Sequence, residues 1–142
     1  MSEPLWGTDF SYGEIKQVMG LLVTGDTQRM GDSTYNGRAA YVLKTKTKQE
    51  ETGYKEVANY VDKTSCVLLK SEFIAAGDKP PKGLEGDLST LMEADKYWTM
   101  LGYTMKDLQR GTFTTLMLSD LSIDERLSEK LFSATQFYKH NP

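Results

Sequence analysis

A mainly β, antiparallel fold follows from three features of the sequence. Short segments alternate apolar and polar residues with period two, Gly, Asn and Asp clusters separate them, and no long helical periodicity intervenes between them. Roughly six or seven consecutive strands joined by short turns make an antiparallel meander. A strongly twisted sheet of this kind curls, and fewer than about eight strands do not close a barrel that holds a ligand. The expected architecture is a curved antiparallel meander sheet, an open half-barrel with one concave face, carrying one short N-terminal helix and a short C-terminal helix. One domain is expected over residues 1–142.

The elements follow in order. Residues 7–12 (GTDFSY) are a polar, aromatic lead-in. Asp9 or Ser11 is placed to cap a short helix through Tyr12, Glu14, Ile15, Val18 and Met19, and Glu14 completes a capping-box pattern with Ser11. Gly20 ends that helix. Residues 27–34 read as a polar strand, and Asn36-Gly37 is a hairpin signal. Segment 38–48 sets Tyr41, Leu43, Thr45 and Thr47 against Val42, Lys44, Lys46 and Lys48, one sheltered face and one wet face.

After a charged turn at 49–53, segment 54–61 places Val57 and Val61 opposite Glu56 and Tyr60. Asp62 opens a turn at 62–65, and 66–75 alternates Val67, Leu69, Ser71 and Phe73 against Leu68, Lys70, Glu72 and Ile74. Residues 76–83 are a loop that Pro80 and Pro81 keep from pairing. Segment 84–93 reads as a strand with Leu84, Leu88 and Met92 facing away from Glu85, Asp87 and Glu93. The strongest hairpin joins 97–106 to 112–118 through Asp107-Leu-Gln-Arg-Gly111, because nearly every residue of both arms is aromatic, β-branched, Met or Leu and Gly111 accepts positive φ. Leu127 and Leu131 mark a short helix at 124–132, and the tail frays beyond Phe137.

Composition narrows the function classes. Charged residues are 26% and the net charge is −3, so no basic surplus exists to hold a nucleic-acid backbone. No run approaches the ~18 apolar residues of a transmembrane segment, and residues 1–10 lack the basic start and apolar core of a signal peptide. The single Cys66 excludes an internal disulfide.

Candidate chemistry is sparse. His140 is the one histidine and has no second His or Cys at metal-ligand spacing, so no metal or other cofactor is expected. Cys66, with no histidine to activate it, reads as a half-buried strand residue. Glu85, Asp87 and Glu93 alternate with apolar partners and read as a solvated strand face rather than an acid-base pair. Asp62 and Asp107 serve turns, and Gly83-Leu-Glu-Gly86 is too short for a phosphate cradle.

The apolar face remains. With the charged positions defining the other side, Tyr41, Leu43, Val57, Leu69, Phe73, Leu88, Met92, Leu101, Tyr103 and Met105 fall on one side of successive strands. Ordinary core under a helix accounts for most of them. As a binding surface, they would line a groove for apolar chains, and seven Met residues suit a ligand without fixed shape.

YW at 97–98, TMKDLQRGTFTTLMLSD at 104–120, Leu127 and LFS at 131–133, together with GTDFSYGE at 7–14 and YKEVANYVDKTSCVLLKSEF at 54–73, carry a family resemblance. The chain resembles the C-terminal part of the outer-membrane lipoprotein-sorting proteins of the LolA-like superfamily. It departs from them at Leu68 and Met100, where the family usually has proline, and at 77–82, where a Gly-Lys-x-x-Lys-like pattern is replaced. The resemblance covers the second half of a half-barrel, so the family's leading helix and first strands are expected to be lacking.

It implies a non-enzymatic binding module for lipid or lipoprotein acyl chains, periplasmic by family, or cytoplasmic if translation starts at Met1. The rival reading is a structural or interaction module whose concave face is filled by a second chain. An enzyme using the same cavity lacks any nucleophile or acid-base constellation. An open sheet with an uncovered apolar face and a free edge at 27–34 predicts a homodimer through one or the other. In the competing arrangement, Leu5, Trp6, Phe10 and the first helix fold back over the face and keep the chain monomeric.

Overall fold

The computed structural model describes residues 4–18, 25–47, 54–75 and 81–122. The helix expected at 124–132, the tail, the turn at 49–53, Gly20 and most of the loop at 76–83 lie outside them. A helix, α1 (Tyr12–Val18), leads into strands β1 (Asp26–Arg29), β2 (Ser33–Tyr35), β3 (Arg38–Lys46), β4 (Glu56–Asp62), β5 (Leu68–Ile74) and β6 (Lys82–Gly86). A 3-10 turn at Leu88–Thr90 follows, then β7 (Leu91–Ala94), β8 (Tyr97–Met100), β9 (Gly102–Asp107) and β10 (Thr112–Met117). The main sheet runs β1-β3-β4-β5-β6-β9-β10 with β2 also beside β3, and β7 and β8 form a separate hairpin. All pairs are antiparallel, and the sheet is not closed into a barrel. It is strongly bent: the Tyr35 hydroxyl on β2 donates to the Gly86 carbonyl on β6 at 3.0 Å although three strands lie between.

Register separates two faces. The pairs Val57–Phe73, Ser71–Leu84 and Leu84–Met105 share one face, where Leu69 and Tyr103 also lie buried. The opposite face carries the ion pairs Lys44–Glu56 at 3.7 Å, Lys70–Glu72 at 2.9 Å and Lys106–Glu85 at 2.7 Å. The alternation of β5 therefore reads correctly from sequence, whereas β4 buries Val57, Ala58 and Asn59 in succession and leaves Val61 half-buried where its register with β5 shifts.

Five features differ from the sequence reading. The strand at 27–34 is two short strands on the same partner, because Met30, Gly31 and Asp32 stand opposite only Tyr41 and Val42, one residue too many for a continuous ladder. Segment 84–93 breaks at Asp87, whose carboxylate accepts from the backbone N–H and hydroxyl of Ser89 and caps the 3-10 turn. Segment 97–106 breaks at Leu101, so β8 pairs back onto β7 and only β9 forms the hairpin with β10. Cys66 is exposed in the turn before β5, with φ of 62°, rather than half-buried within the strand. Gly83 lies in β6 instead of the loop.

The turns obey local chemistry. Asn36 and Gly37, at φ 45° and 82°, make the mirror-image turn whose twist suits a hairpin. Asp95 and Lys96 adopt the same left-handed conformation, at φ 48° and 71°, between β7 and β8 without a glycine. Asp107 accepts from the backbone N–H groups of Gln109 and Arg110 at 3.0 and 2.9 Å, and Gly111 closes that turn.

Asp62 fixes the turn between β4 and β5. Its carboxylate receives a two-pronged contact from Arg38 at 3.0 and 2.7 Å, and the backbone N–H and hydroxyl of Ser65 at 2.9 and 2.6 Å. Only 1% of the residue is exposed. Arg38 first, then Ser65, hold its pKa down to about 2 against the desolvation that burial imposes. An acid held below its unfolded value contributes stability that is present above ~4 and lost as pH falls toward the folded value. Asp62→Asn is expected to lower unfolding free energy by about 2 kcal/mol at neutral pH, and urea melts should converge for the two proteins as pH falls from ~4 to ~2.

Candidate functional site

The N-terminal segment is laid across the buried face of the sheet. Ser11 and Glu14 form the capping box that the sequence announces: the Ser11 backbone N–H donates to Glu14 Oε2 at 2.6 Å, and the Glu14 N–H donates to Ser11 Oγ at 3.4 Å. This box sets the start of α1 and turns Phe10 inward. Phe10 is 2% exposed and joins Val57, Leu69, Phe73, Leu84, Tyr103 and Met105 in one cluster. Ile15 packs against it from the first turn of the helix.

Polar contacts hold the segment at the ends of several strands. Glu14, 3% exposed, accepts from the Tyr54 hydroxyl and lies 3.4 Å from the Lys82 ammonium, which also donates to the Asp9 carbonyl at 2.7 Å. The Tyr54 ring meets Phe73 at 5.1 Å between centroids, and burial, with Glu14 beside it, pushes the Tyr54 pKa up. Asp9 accepts from the Thr112 and Thr114 hydroxyls on β10 at 2.6 and 2.9 Å, and the first of these holds its pKa below the usual carboxylate value. Two buried carboxylates, a lysine and two threonines thus clasp residues 9–14 to β6 and β10.

The segment between β6 and β9 covers the other end of the face. Met100 is buried, and Leu88 and Leu91 pack on the cluster. Gly86 makes room for this: a Cβ there would stand 2.8 Å from Met100 Cε and 3.0 Å from the Leu69 carbonyl. Beneath it, the Tyr103 hydroxyl donates to the Leu68 carbonyl at 2.8 Å, and burial raises its pKa to about 12.

The residues expected from sequence to line a groove separate into groups. Val57, Leu69, Phe73, Tyr103 and Met105 converge in the buried cluster. Tyr41 and Leu43 lie on the same face of β3 beyond that cluster, and the Tyr41 ring meets Arg29 at 4.7 Å and Lys63 at 5.1 Å. Leu88 packs on the cluster from its turn, Leu101 is half-buried at the β8–β9 break, and Met92 is exposed on β7. Sequence periodicity did not place Leu84 or Met100 at the centre, nor Phe10 beneath the helix start. The capping box was the available signal, because it fixes the direction in which the preceding aromatic points.

Among the described residues, no cluster of three His, Cys, Asp or Glu side chains is arranged to hold a metal, and no helix is long and apolar enough to cross a membrane. An open cleft of about 500 Å³ beside β1 is bordered by Asp26, Lys44, Lys46 and Glu56, with Met30 as its apolar contribution. Its charges suit water rather than hydrocarbon.

The fold has solved counterparts. A lipoprotein-sorting protein domain from Vibrio parahaemolyticus, described as putative in its crystal structure, is 26% identical, with a TM-score of 0.76 over 94% of this chain and 56% of that one. A DUF1329 family protein from Desulfovibrio piger is 23% identical with a TM-score of 0.81, covering 94% of this chain and 55% of that one. A LolA superfamily protein from Nitrosomonas europaea is 20% identical with a TM-score of 0.60, covering 79% and 51%. The chain spans about half the length of these proteins. No curated protein matches it. A family profile described as that of an uncharacterized protein matches residues 1–139. The chain belongs to that family, and it carries the half-barrel fold of the lipoprotein-sorting proteins of the LolA-like superfamily.

Proposed function

We propose that this chain is a non-enzymatic binding module for lipid acyl chains or another apolar ligand, admitted between the sheet and the N-terminal segment. The observation that carries this reading is the position of Phe10: a single aromatic side chain from the N-terminal segment fills a mainly apolar layer, and that segment is held mainly by polar contacts at its margins. Truncating such an aromatic costs about 3–5 kcal/mol. Each buried methylene returns about 0.8 kcal/mol, so an acyl chain burying roughly six offsets the loss of Phe10. The similarity to a lipoprotein-sorting protein domain supports the same ligand class and a periplasmic setting. On this reading residues 1–142 act as one domain.

The second reading, a structural or interaction module, has one fact behind it: the face is filled with no ligand present, though by the chain's own Phe10 and not by the second chain expected from sequence. Fluorescence titration with a long-chain fatty acid decides between the two. Binding at micromolar levels, strengthened about a hundredfold or more in Phe10→Ala because no plug has to be displaced, supports the lipid module. Absence of binding by both folded proteins leaves the interaction module.

Clasp strength sets how readily the segment lifts. Lys82→Met strands the buried Glu14 carboxylate and should cost about 3 kcal/mol. Lys106→Met breaks an exposed pair and should cost less than about 1 kcal/mol. Urea denaturation of the two variants, side by side, measures the contrast.

A further inference from the structure

The two edges of the main sheet are built differently. One edge is formed by β1 and β2, which are short, broken at Met30 to Asp32, and carry Asp26 and Arg29. Charge, shortness and a bulge are the devices that keep an edge from pairing. The other edge is β10, six residues reading TFTTLM with an uninterrupted register to β9 and no charge, proline or bulge. Phe113 and Met117 on it are 71% and 54% exposed, and both lie on the face opposite the cluster.

We propose that β10 pairs antiparallel with β10 of a second copy, about a twofold axis at Thr115. The strand is self-complementary in this register. Phe113 stands opposite Met117 of the second copy twice, flanking a Thr115–Thr115 pair, so each exposed apolar side chain covers the other. Shifting the axis by one residue either way loses the Phe–Met match. The N-terminal segment already covers the buried face and reaches β10 through Thr112 and Thr114 on that side, and among the described residues the Phe113 side stays open.

This pairing is independent of the ligand reading. Size exclusion with light scattering at micromolar concentration should give the mass of two chains for the native protein. Phe113→Lys should give the mass of one chain with an unchanged circular dichroism spectrum. In a Cys66→Ser background, Thr115→Cys should form an intermolecular disulfide on mild oxidation and Thr114→Cys should not. A native mass of one chain, a dimer that survives Phe113→Lys, or cross-linking through position 114 and not 115 would overturn the proposal.

Discussion

The burial of Phe10 against the sheet is the contact on which the rest of this structure depends. A half-barrel of this length has one face of Val57, Leu69, Phe73, Leu84 and Met105 that water would otherwise meet. Leaving several hundred Å² of such surface wet costs roughly 25 cal/mol per Å², a large share of the ~5–15 kcal/mol that holds a domain folded. One aromatic ring, aimed by a capping box, removes much of that cost. The segment from β6 to β9 completes the cover from the other end through Leu88, Leu91 and Met100.

Charge is used in two distinct ways around that core. The Lys44–Glu56, Lys70–Glu72 and Lys106–Glu85 pairs lie along the wet face and chiefly favour solubility and register. Glu14, Asp9 and Asp62 are buried, and each has its oxygens taken up by donors from distant strands or from the turn it organises. Two of these three hold the N-terminal segment down. A cover attached by polar contacts at its rim and one apolar plug at its centre is the kind of element that opens locally before the sheet does.

Much of this was legible in the residues, and the failures have identifiable causes. Period-two alternation located β4 and β5, Asn36-Gly37 and Gly111 located two turns, and Ser11 with Glu14 located the helix start, because each signal acts over a few neighbouring residues. Alternation misled at 84–93, where Asp87 matches the period of a strand yet uses its carboxylate to cap a turn. It misled again at 97–106, where the break at Leu101 is set by β8 returning to β7 through the glycine-free turn at Asp95 and Lys96. Val57, Leu69, Phe73, Tyr103 and Met105, expected on one face, lie together in the buried cluster. What the sequence did not settle was the competition for that face between a second chain and the N-terminal segment. That choice rests on contacts such as Asp9 with Thr112 and Thr114, which link residues more than one hundred positions apart.

The central claim is that residues 9–14 are an integral part of the core until an apolar ligand displaces them. Hydrogen exchange read at these amides, with and without a saturating long-chain fatty acid, tests it most directly. The account predicts that without ligand they are protected to the level of β5 and β9, and that with ligand they exchange faster while the two strands stay protected. Rapid exchange of residues 9–14 without ligand, or protection that is unchanged when ligand is bound, would contradict it.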